Sequence, residues 1–143
     1  MRALLDVNVL IALLDAAHVH HAQAHRWLEG EFDHGWASCP LTQNGCIRIM
    51  SQPNYPGALR SAQVAARLAE AAAGHAHAFW PDDVNLLEAG AVEWSRVLGH
   101  RQTTDAYLLA LAVRHGGRLV TFDRRIAVEV VPGAEASHLC VLE

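Results

Sequence analysis

Residues 103–123 have the sequence TTDAYLLALAVRHGGRLVTFD. A helix that starts near Thr103 and runs to His115 would be apolar nearly all round, and such a helix belongs in the interior of a protein. The glycine pair that follows would end it, since glycine readily takes the left-handed conformation found after many helices. Residues 118–123 then form a predicted strand that ends in an acid. A buried helix followed directly by a strand is typical of α/β proteins.

The N-terminal segment has the same combination of a short apolar run and an acid. Ala3–Asp6 is predicted to form a buried strand, followed by a turn at residues 6–8 and a short helix over 9–14. Short apolar strands alternate with helices along the chain, which is typical of a parallel sheet covered on both faces. We therefore expect a single domain over residues 1–143, a three-layer α/β/α fold with a central, mainly parallel sheet of about five short strands. The other expected elements are helices over 20–28, 43–50 (capped by Thr42), 61–73 and 86–98, and strands over 36–38, 78–80 and 139–142.

Composition excludes several classes of protein. The chain has 143 residues, a net charge of −4 and 52% hydrophobic residues, which excludes global disorder. The 15 acids outnumber the 11 bases, which excludes a long basic arm for nucleic acid. Every base is Arg, so phosphate recognition would need Arg, His, backbone N–H groups or a metal ion. No stretch fits a signal peptide or a membrane span, and a cytoplasmic protein without membrane association is expected.

Three carboxylates are expected at one edge of the sheet. Asp6 follows the first strand, Asp123 follows the fourth, and Asp105 lies in the first turn of the apolar helix. In parallel α/β sheets, ligands bind beyond the carboxyl ends of the strands. If the first and fourth strands are neighbours, the three side chains converge and repel one another unless a cation is present. Each acid alone could instead cap a helix or begin a turn.

The expected cation is Mg²⁺, with Mn²⁺ as a possible substitute, because hard oxygen ligands suit both ions. Such an ion polarises a phosphoryl oxygen and activates water, so the site is suited to phosphoryl chemistry. Asn8 and Thr121 flank the same strand ends, where they could orient a carboxylate or a water molecule.

Four segments, taken in order, resemble a known family: residues 4–10 (LLDVNVL), 41–45 (LTQNG), 103–112 (TTDAYLLALA) and 119–123 (LVTFD). The chain resembles the PIN-domain endoribonucleases, and more closely the VapC toxins of bacterial toxin–antitoxin pairs. The resemblance implies a Mg²⁺-dependent ribonuclease with metal-binding carboxylates at Asp6, Asp105 and Asp123. It also implies a homodimer that a small VapB-type antitoxin neutralises.

One position departs from the family pattern. Many members carry Glu in the segment that contains Gln43 here. A Gln side chain can offer its amide oxygen to a metal but brings no charge. We expect Gln43 to belong to the site and the metal to be held more weakly than with a fourth carboxylate, or with help from substrate phosphates.

Several basic residues are candidates for contacts with the RNA backbone, because they flank the expected site and because Arg binds phosphate through a rigid fork of donors. Each of them could equally be an ordinary surface side chain. The candidates are Arg48, His100, Arg101, Arg124 and Arg125.

The sequence favours a metal-dependent endoribonuclease and leaves two alternatives. The first is a catalytically weakened PIN module that binds RNA or an antitoxin, with Gln43 having reduced the chemistry. The second is a phosphatase with Asp6 as the nucleophile that forms an aspartyl phosphate. That class resembles a D-x-D start, whereas the third position of the motif is Asn8 here.

Overall fold

A computed structural model describes residues 1–143 and contains one parallel sheet of five strands in the order β3-β2-β1-β4-β5. The first and fourth strands are neighbours, which was the condition for the three carboxylates to come together, and Leu4 of β1 pairs with Leu119 of β4. The carboxyl ends of both strands therefore lie at the same edge. The strands are β1 (Ala3–Leu5), β2 (Trp36–Ser38), β3 (His77–Phe79), β4 (Arg118–Thr121) and β5 (Leu139–Val141).

Helices cover both faces of the sheet, which confirms the expected three-layer α/β/α fold. Successive strand residues point to opposite faces: Leu4 packs in the hydrophobic cluster that contains α5, and Leu5 in the cluster that contains α1, α3 and α4. The helices are α1 (Val7–Leu14), α2 (His21–Gly30), α3 (Pro40–Met50), α4 (Ser61–Ala71) and α5 (Thr103–Arg114), with short 3₁₀ helices at 32–34, 94–96, 100–102, 128–130 and 136–138.

The buried helix predicted before the fourth strand is confirmed. Seven consecutive residues of α5, from Ala106 to Ala112, are buried. Gly116 follows the helix with φ of 66°, the left-handed conformation expected there. This helix holds its first turn, with Asp105, against the edge of the sheet where β1 and β4 end.

The predicted helix over 86–98 is wrong. Gly90 has φ of 85°, which no right-handed helix tolerates, and the Asn85 side chain accepts a hydrogen bond from the Leu87 N–H in a tight turn. Only Trp94–Arg96 forms a single 3₁₀ turn. The segment is therefore irregular, and Trp94 is exposed.

Two predicted helix starts are also corrected. Helix α1 begins at Val7 directly after the strand, with Asp6 as its N-cap, so the turn expected at residues 6–8 is absent. Helix α3 begins at Pro40, a residue whose fixed φ suits the first position of a helix. Thr42 is thus inside the first turn, and its Oγ1 accepts a hydrogen bond from the Cys39 N–H.

The contact between α1 and α3 requires a glycine. A Cβ atom on Gly45 of α3 would lie 2.8 Å from Val7 Cγ2 of α1, which is closer than carbon atoms approach in proteins. The two helices therefore pack closely next to Asp6, the N-cap of α1. No helix has the length and apolar character needed to cross a bilayer.

Candidate active site

Asp6 is fixed by two hydrogen bonds at the junction of β1 and α1. Its Oδ1 accepts from the Val7 N–H at 2.7 Å, and its Oδ2 accepts from Thr121 Oγ1, also at 2.7 Å. The residue is only 8% exposed. Burial raises the pKa of Asp6, the two hydrogen bonds act in the opposite direction, and the charge of Asp123 raises the pKa further.

Thr121 connects the two aspartates that follow β1 and β4. Its hydroxyl donates to Asp6 and accepts a hydrogen bond from the Asp123 N–H at 3.0 Å. The residue is fully enclosed, so this hydroxyl has no alternative partner in water. A threonine at the end of β4 therefore sets the orientation of the Asp6 carboxylate and of the backbone that carries Asp123.

Asp123 forms an ion pair with Arg125. Its Oδ1 accepts from Arg125 Nε at 3.0 Å and from the Arg125 backbone N–H at 2.8 Å, and its Oδ2 accepts from Arg125 Nη2 at 3.1 Å. These hydrogen bonds hold the pKa of Asp123 below its usual value. Both carboxylate oxygens are thus occupied by one guanidinium group.

The pKa of Asp105 is strongly raised. Burial raises the pKa of Asp105 to about 6, the negative charges of Asp6 and Asp123 contribute to the rise, and Arg125 opposes it. The structure therefore brings Asp6, Asp105, Asp123 and Thr121 together at the carboxyl edge of the sheet. A carboxyl group whose pKa is raised by burial and by nearby negative charges is typical of functional sites.

The donor set suits a divalent cation, but the side chains do not surround one point. Three carboxylates that repel one another are ligands of the kind that Mg²⁺ and Mn²⁺ prefer. No three His, Cys, Asp or Glu side chains converge tightly enough to hold an ion as they stand. The oxygens of Asp6 and Asp123 are already engaged by Thr121, Val7 and Arg125.

Gln43 forms a hydrogen bond with a serine and with none of the three carboxylates. Its Nε2 donates to Ser38 Oγ at 3.1 Å, and Ser38 Oγ lies 2.8 Å from His77 Nε2. Ser38 is fully buried at the end of β2. The sequence could have indicated Ser38, because it lies at the carboxyl end of a predicted strand, close to where the aspartates follow theirs. It gave no such indication for His77, which is distant from Ser38 in the chain.

A cleft of about 430 Å³ opens beside Asp105 and Asp123. Of the predicted RNA contacts, His100, Arg101 and Arg125 line it. Arg48, Arg124 and Asn8 are exposed and lie outside its lining. Arg96 also lines the cleft; the sequence did not single it out, because the helix predicted over that segment gave no reason to place it near the site.

Comparison with known proteins gives concordant matches. The PIN domain family matches residues 3–129. Ribonuclease VapC44 of Mycobacterium tuberculosis is 51% identical over 142 residues, which span 99% of this chain and 100% of that protein. Ribonuclease VapC39 of the same organism is 48% identical over 132 residues, 89% of this chain and 92% of that protein.

Two solved structures share the fold. The crystal structure of VapBC2 from Rickettsia felis, bound to a DNA fragment from their promoter, superposes with a TM-score of 0.61 at 13% identity and covers 100% of both chains. VapC20 of Mycobacterium tuberculosis, described as a Sarcin-Ricin loop cleaving toxin, superposes with a TM-score of 0.55 at 14% identity over 81% of this chain and 85% of that one.

Proposed function

The chain belongs to the PIN domain family and is similar to VapC proteins over its whole length, and on that basis we propose that it is a Mg²⁺-dependent endoribonuclease toxin. The resemblance expected from the sequence is thereby confirmed. Relatives named ribonucleases, at 51% and 48% identity, support RNA as the substrate. A phosphatase that uses Asp6 as a nucleophile is not favoured by any of these matches.

The observation that carries the metal-dependent part of the proposal is the placement of Asp6, Asp105 and Asp123 together at the edge of the sheet where the paired strands β1 and β4 end. Three negative charges at one sheet edge are costly without a cation. These three residues would hold the metal, and Mg²⁺ is the ion we propose, with Mn²⁺ as a substitute. When bound, the metal would supply charge stabilisation at the phosphate and activation of the attacking water.

The protein's own residues would orient the carboxylates and the RNA. Thr121 would fix the orientation of the Asp6 carboxylate through the 2.7 Å hydrogen bond. Arg96, His100 and Arg101 line the cleft next to Asp105, where they would bind backbone phosphates. Single-stranded or looped RNA suits this cleft, because its phosphates and bases are accessible.

We also propose two protein contacts. A VapB-type antitoxin would neutralise the toxin, which the fold shared with VapBC2 supports. The protein would form a homodimer, as the sequence resemblance implies. Large apolar side chains of Leu87, Trp94 and Leu98 are exposed on the irregular segment before α5 and are available for such contacts.

Incubation of purified protein with total RNA, followed by sequencing of the cleavage ends, tests the activity. We expect cleavage with Mg²⁺, none in EDTA, and none from the Asp6→Asn and Asp105→Asn variants. Circular dichroism and thermal unfolding of each variant control for loss of the fold. Cleavage that persists in EDTA or in both variants would contradict the metal mechanism.

The second candidate function is a weakened PIN module that binds RNA or the antitoxin without efficient cleavage. Its support is Gln43, which brings no charge and whose amide is hydrogen-bonded to Ser38. We expect Gln43→Glu to tighten Mg²⁺ binding, because Glu brings the negative charge that the Gln amide lacks. Isothermal titration with Mg²⁺ measures this, and unchanged or weaker affinity would count against a place for residue 43 at the metal.

A further inference from the structure

We propose that Arg125 is a built-in counter-ion that holds Asp123 in the metal-free protein and competes with the divalent cation for it. This inference rests on the proposed function, because it concerns the same metal site. The observation behind it is that both carboxylate oxygens of Asp123 accept hydrogen bonds from the Arg125 guanidinium.

The geometry of the pair supports direct competition. Arg125 Nε and Nη2 reach the two different oxygens of Asp123, at 3.0 and 3.1 Å, in the two-pronged arrangement that guanidinium groups form with carboxylates. An incoming metal would need one of these oxygens. Arg125 and the ion therefore cannot both keep their full set of contacts with Asp123.

The charge of Arg125 also acts on a second carboxylate of the site. Asp105 and Arg125 line the same cleft, so the positive charge of the guanidinium also acts on the Asp105 carboxylate. The guanidinium thus partly offsets the repulsion that a cation would otherwise relieve. The positive charge of Arg125 and its two hydrogen bonds to the Asp123 carboxylate thus take the place of the cation.

The ion pair between Arg125 and Asp123 is accessible to water and can therefore separate. The Arg125 side chain is 79% exposed and that of Asp123 is 24% exposed. Ion pairs this accessible to water are weak, so their replacement by a divalent ion has a small cost. Arg125 also lines the cleft with Arg96 and Arg101, and once released it would still lie beside the proposed path of the RNA phosphates.

Arg124 provides a matched control. It is adjacent in sequence, carries the same charge and is exposed, but it makes no ion pair with Asp123. Arg124→Ala and Arg125→Ala therefore remove the same charge from almost the same place. Only Arg125→Ala also removes the guanidinium from the carboxylate oxygens.

Titration with Mn²⁺, with the free ion followed by electron paramagnetic resonance, tests the proposal without RNA. We expect Arg125→Ala to bind Mn²⁺ about three- to five-fold more tightly than wild type, the size expected for loss of an exposed competing pair. Arg124→Ala should stay close to wild type. If Arg125→Ala binds Mn²⁺ no more tightly than Arg124→Ala, the proposal is wrong while the metal-dependent function stands. If none of the proteins binds Mn²⁺, the proposed function and this inference fail together.

A measurement on the wild-type protein does not depend on the folding of a variant. The Arg125 Nε–H resonance, assigned by its loss in Arg125→Lys, reports the hydrogen bond to Asp123. We expect saturating Mg²⁺ to move this resonance toward the position of a solvent-exposed arginine. A resonance that does not move while Mg²⁺ binds would overturn displacement.

Discussion

At the scale of single residues, the site depends on one hydroxyl group. Thr121 Oγ1 donates to Asp6 and accepts from the Asp123 N–H, and it is closed off from water. Removing one partner of a buried polar pair costs more than the pair contributes, because the remaining group keeps its desolvation penalty. Thr121 therefore contributes to folding stability as well as to the orientation of two proposed metal ligands.

The isosteric substitution Thr121→Val should lower both stability and activity. We expect a loss of about 1–3 kcal/mol in the free energy of unfolding, since the buried Asp6 carboxylate and the partly buried Asp123 N–H both lose their partner. The pKa of Asp6 should rise further, because the Thr121 hydrogen bond lowers it. Urea unfolding and RNA cleavage measure the two effects, and Thr121→Ser, which keeps the hydroxyl, should recover most of both. A Val variant as stable as wild type would show that the hydrogen bond is not formed.

Asp105 should make the metal-free protein less stable as pH rises. Its pKa is about 6 in the folded protein and about 3.9 in an unfolded chain. The folded protein therefore binds more protons between these values, and the free energy of unfolding falls as pH increases through this window. In EDTA near pH 7, Asp105→Asn should be more stable than wild type by about 1 kcal/mol, a value reduced for contact with water and for the favourable helix dipole.

Unfolding by urea across this pH range measures the effect. Asp123→Asn is the control, because it should change the free energy of unfolding in the opposite direction. The pKa of Asp123 is lowered by Arg125. Its contribution to stability is therefore present above the unfolded pKa and is lost as pH falls, so Asp123→Asn should destabilise the protein near pH 7. An Asp105→Asn variant less stable than wild type in EDTA would contradict the repulsion described for this site.

The sequence was sufficient to predict where the aspartates lie but not what they contact. Asp6 and Asp123 follow apolar strands, and that pattern alone indicates the edge of a parallel sheet. The guanidinium on Asp123 and the Gln43–Ser38–His77 contacts depend on rotamers chosen by tertiary neighbours. No periodicity or spacing encodes such choices.

At the scale of elements, α1 and α3 are held together by a glycine. Gly45→Ala would place its Cβ 2.8 Å from Val7 Cγ2. Val7 is β-branched and therefore stiff in a helix, so it cannot simply rotate away. We expect a loss of about 1–2 kcal/mol in the free energy of unfolding, because overpacking outweighs the better helix propensity of Ala.

A double-mutant cycle with Val7→Ala separates the two contributions. In the Val7→Ala background the obstructing methyl groups are absent, so Gly45→Ala should stabilise the protein by about 1 kcal/mol through helix propensity alone. Chemical unfolding of the four proteins measures the coupling. Equal effects of Gly45→Ala in both backgrounds would show that the two helices do not meet at this point.

The elements themselves were predictable where several signals agreed. For α5, an apolar stretch and a terminal glycine point to the same helix, and it forms. In residues 86–98 the apolar residues suggest a helix, but the left-handed Gly90 and the Asn85 turn prevent it. The Glu93 N–H instead donates to the Val130 carbonyl, a contact 37 residues away that local sequence does not reveal.

At the scale of the whole molecule, the net charge of −4 bears on how the proposed RNA substrate would bind. Affinity would rest on the metal and on a few Arg side chains in the cleft, without a general basic field. For a single strand, each neutralised phosphate contributes about −0.7 to the slope of log(binding constant) against log(salt concentration). Three such contacts therefore predict a slope of about −2.

Fluorescence anisotropy with a single-stranded DNA of the cleaved sequence measures this slope without cleavage of the probe by a ribonuclease. Binding should be stronger with Mg²⁺ than in EDTA, and only moderately weakened by NaCl. A steep loss with salt that Mg²⁺ does not change would indicate a binding surface elsewhere on the protein.

The strand order also has a consequence for how the chain is synthesised. The central strand β1 is made first, but one of its two neighbours, β4, comes from residues 118–121. Asp6 meets Thr121 only when that distant segment has left the ribosome and joined the sheet. A nascent chain would therefore lack nuclease activity through most of its translation. If the proposed antitoxin exists, that interval is the time in which it can be made before the proposed enzyme is complete.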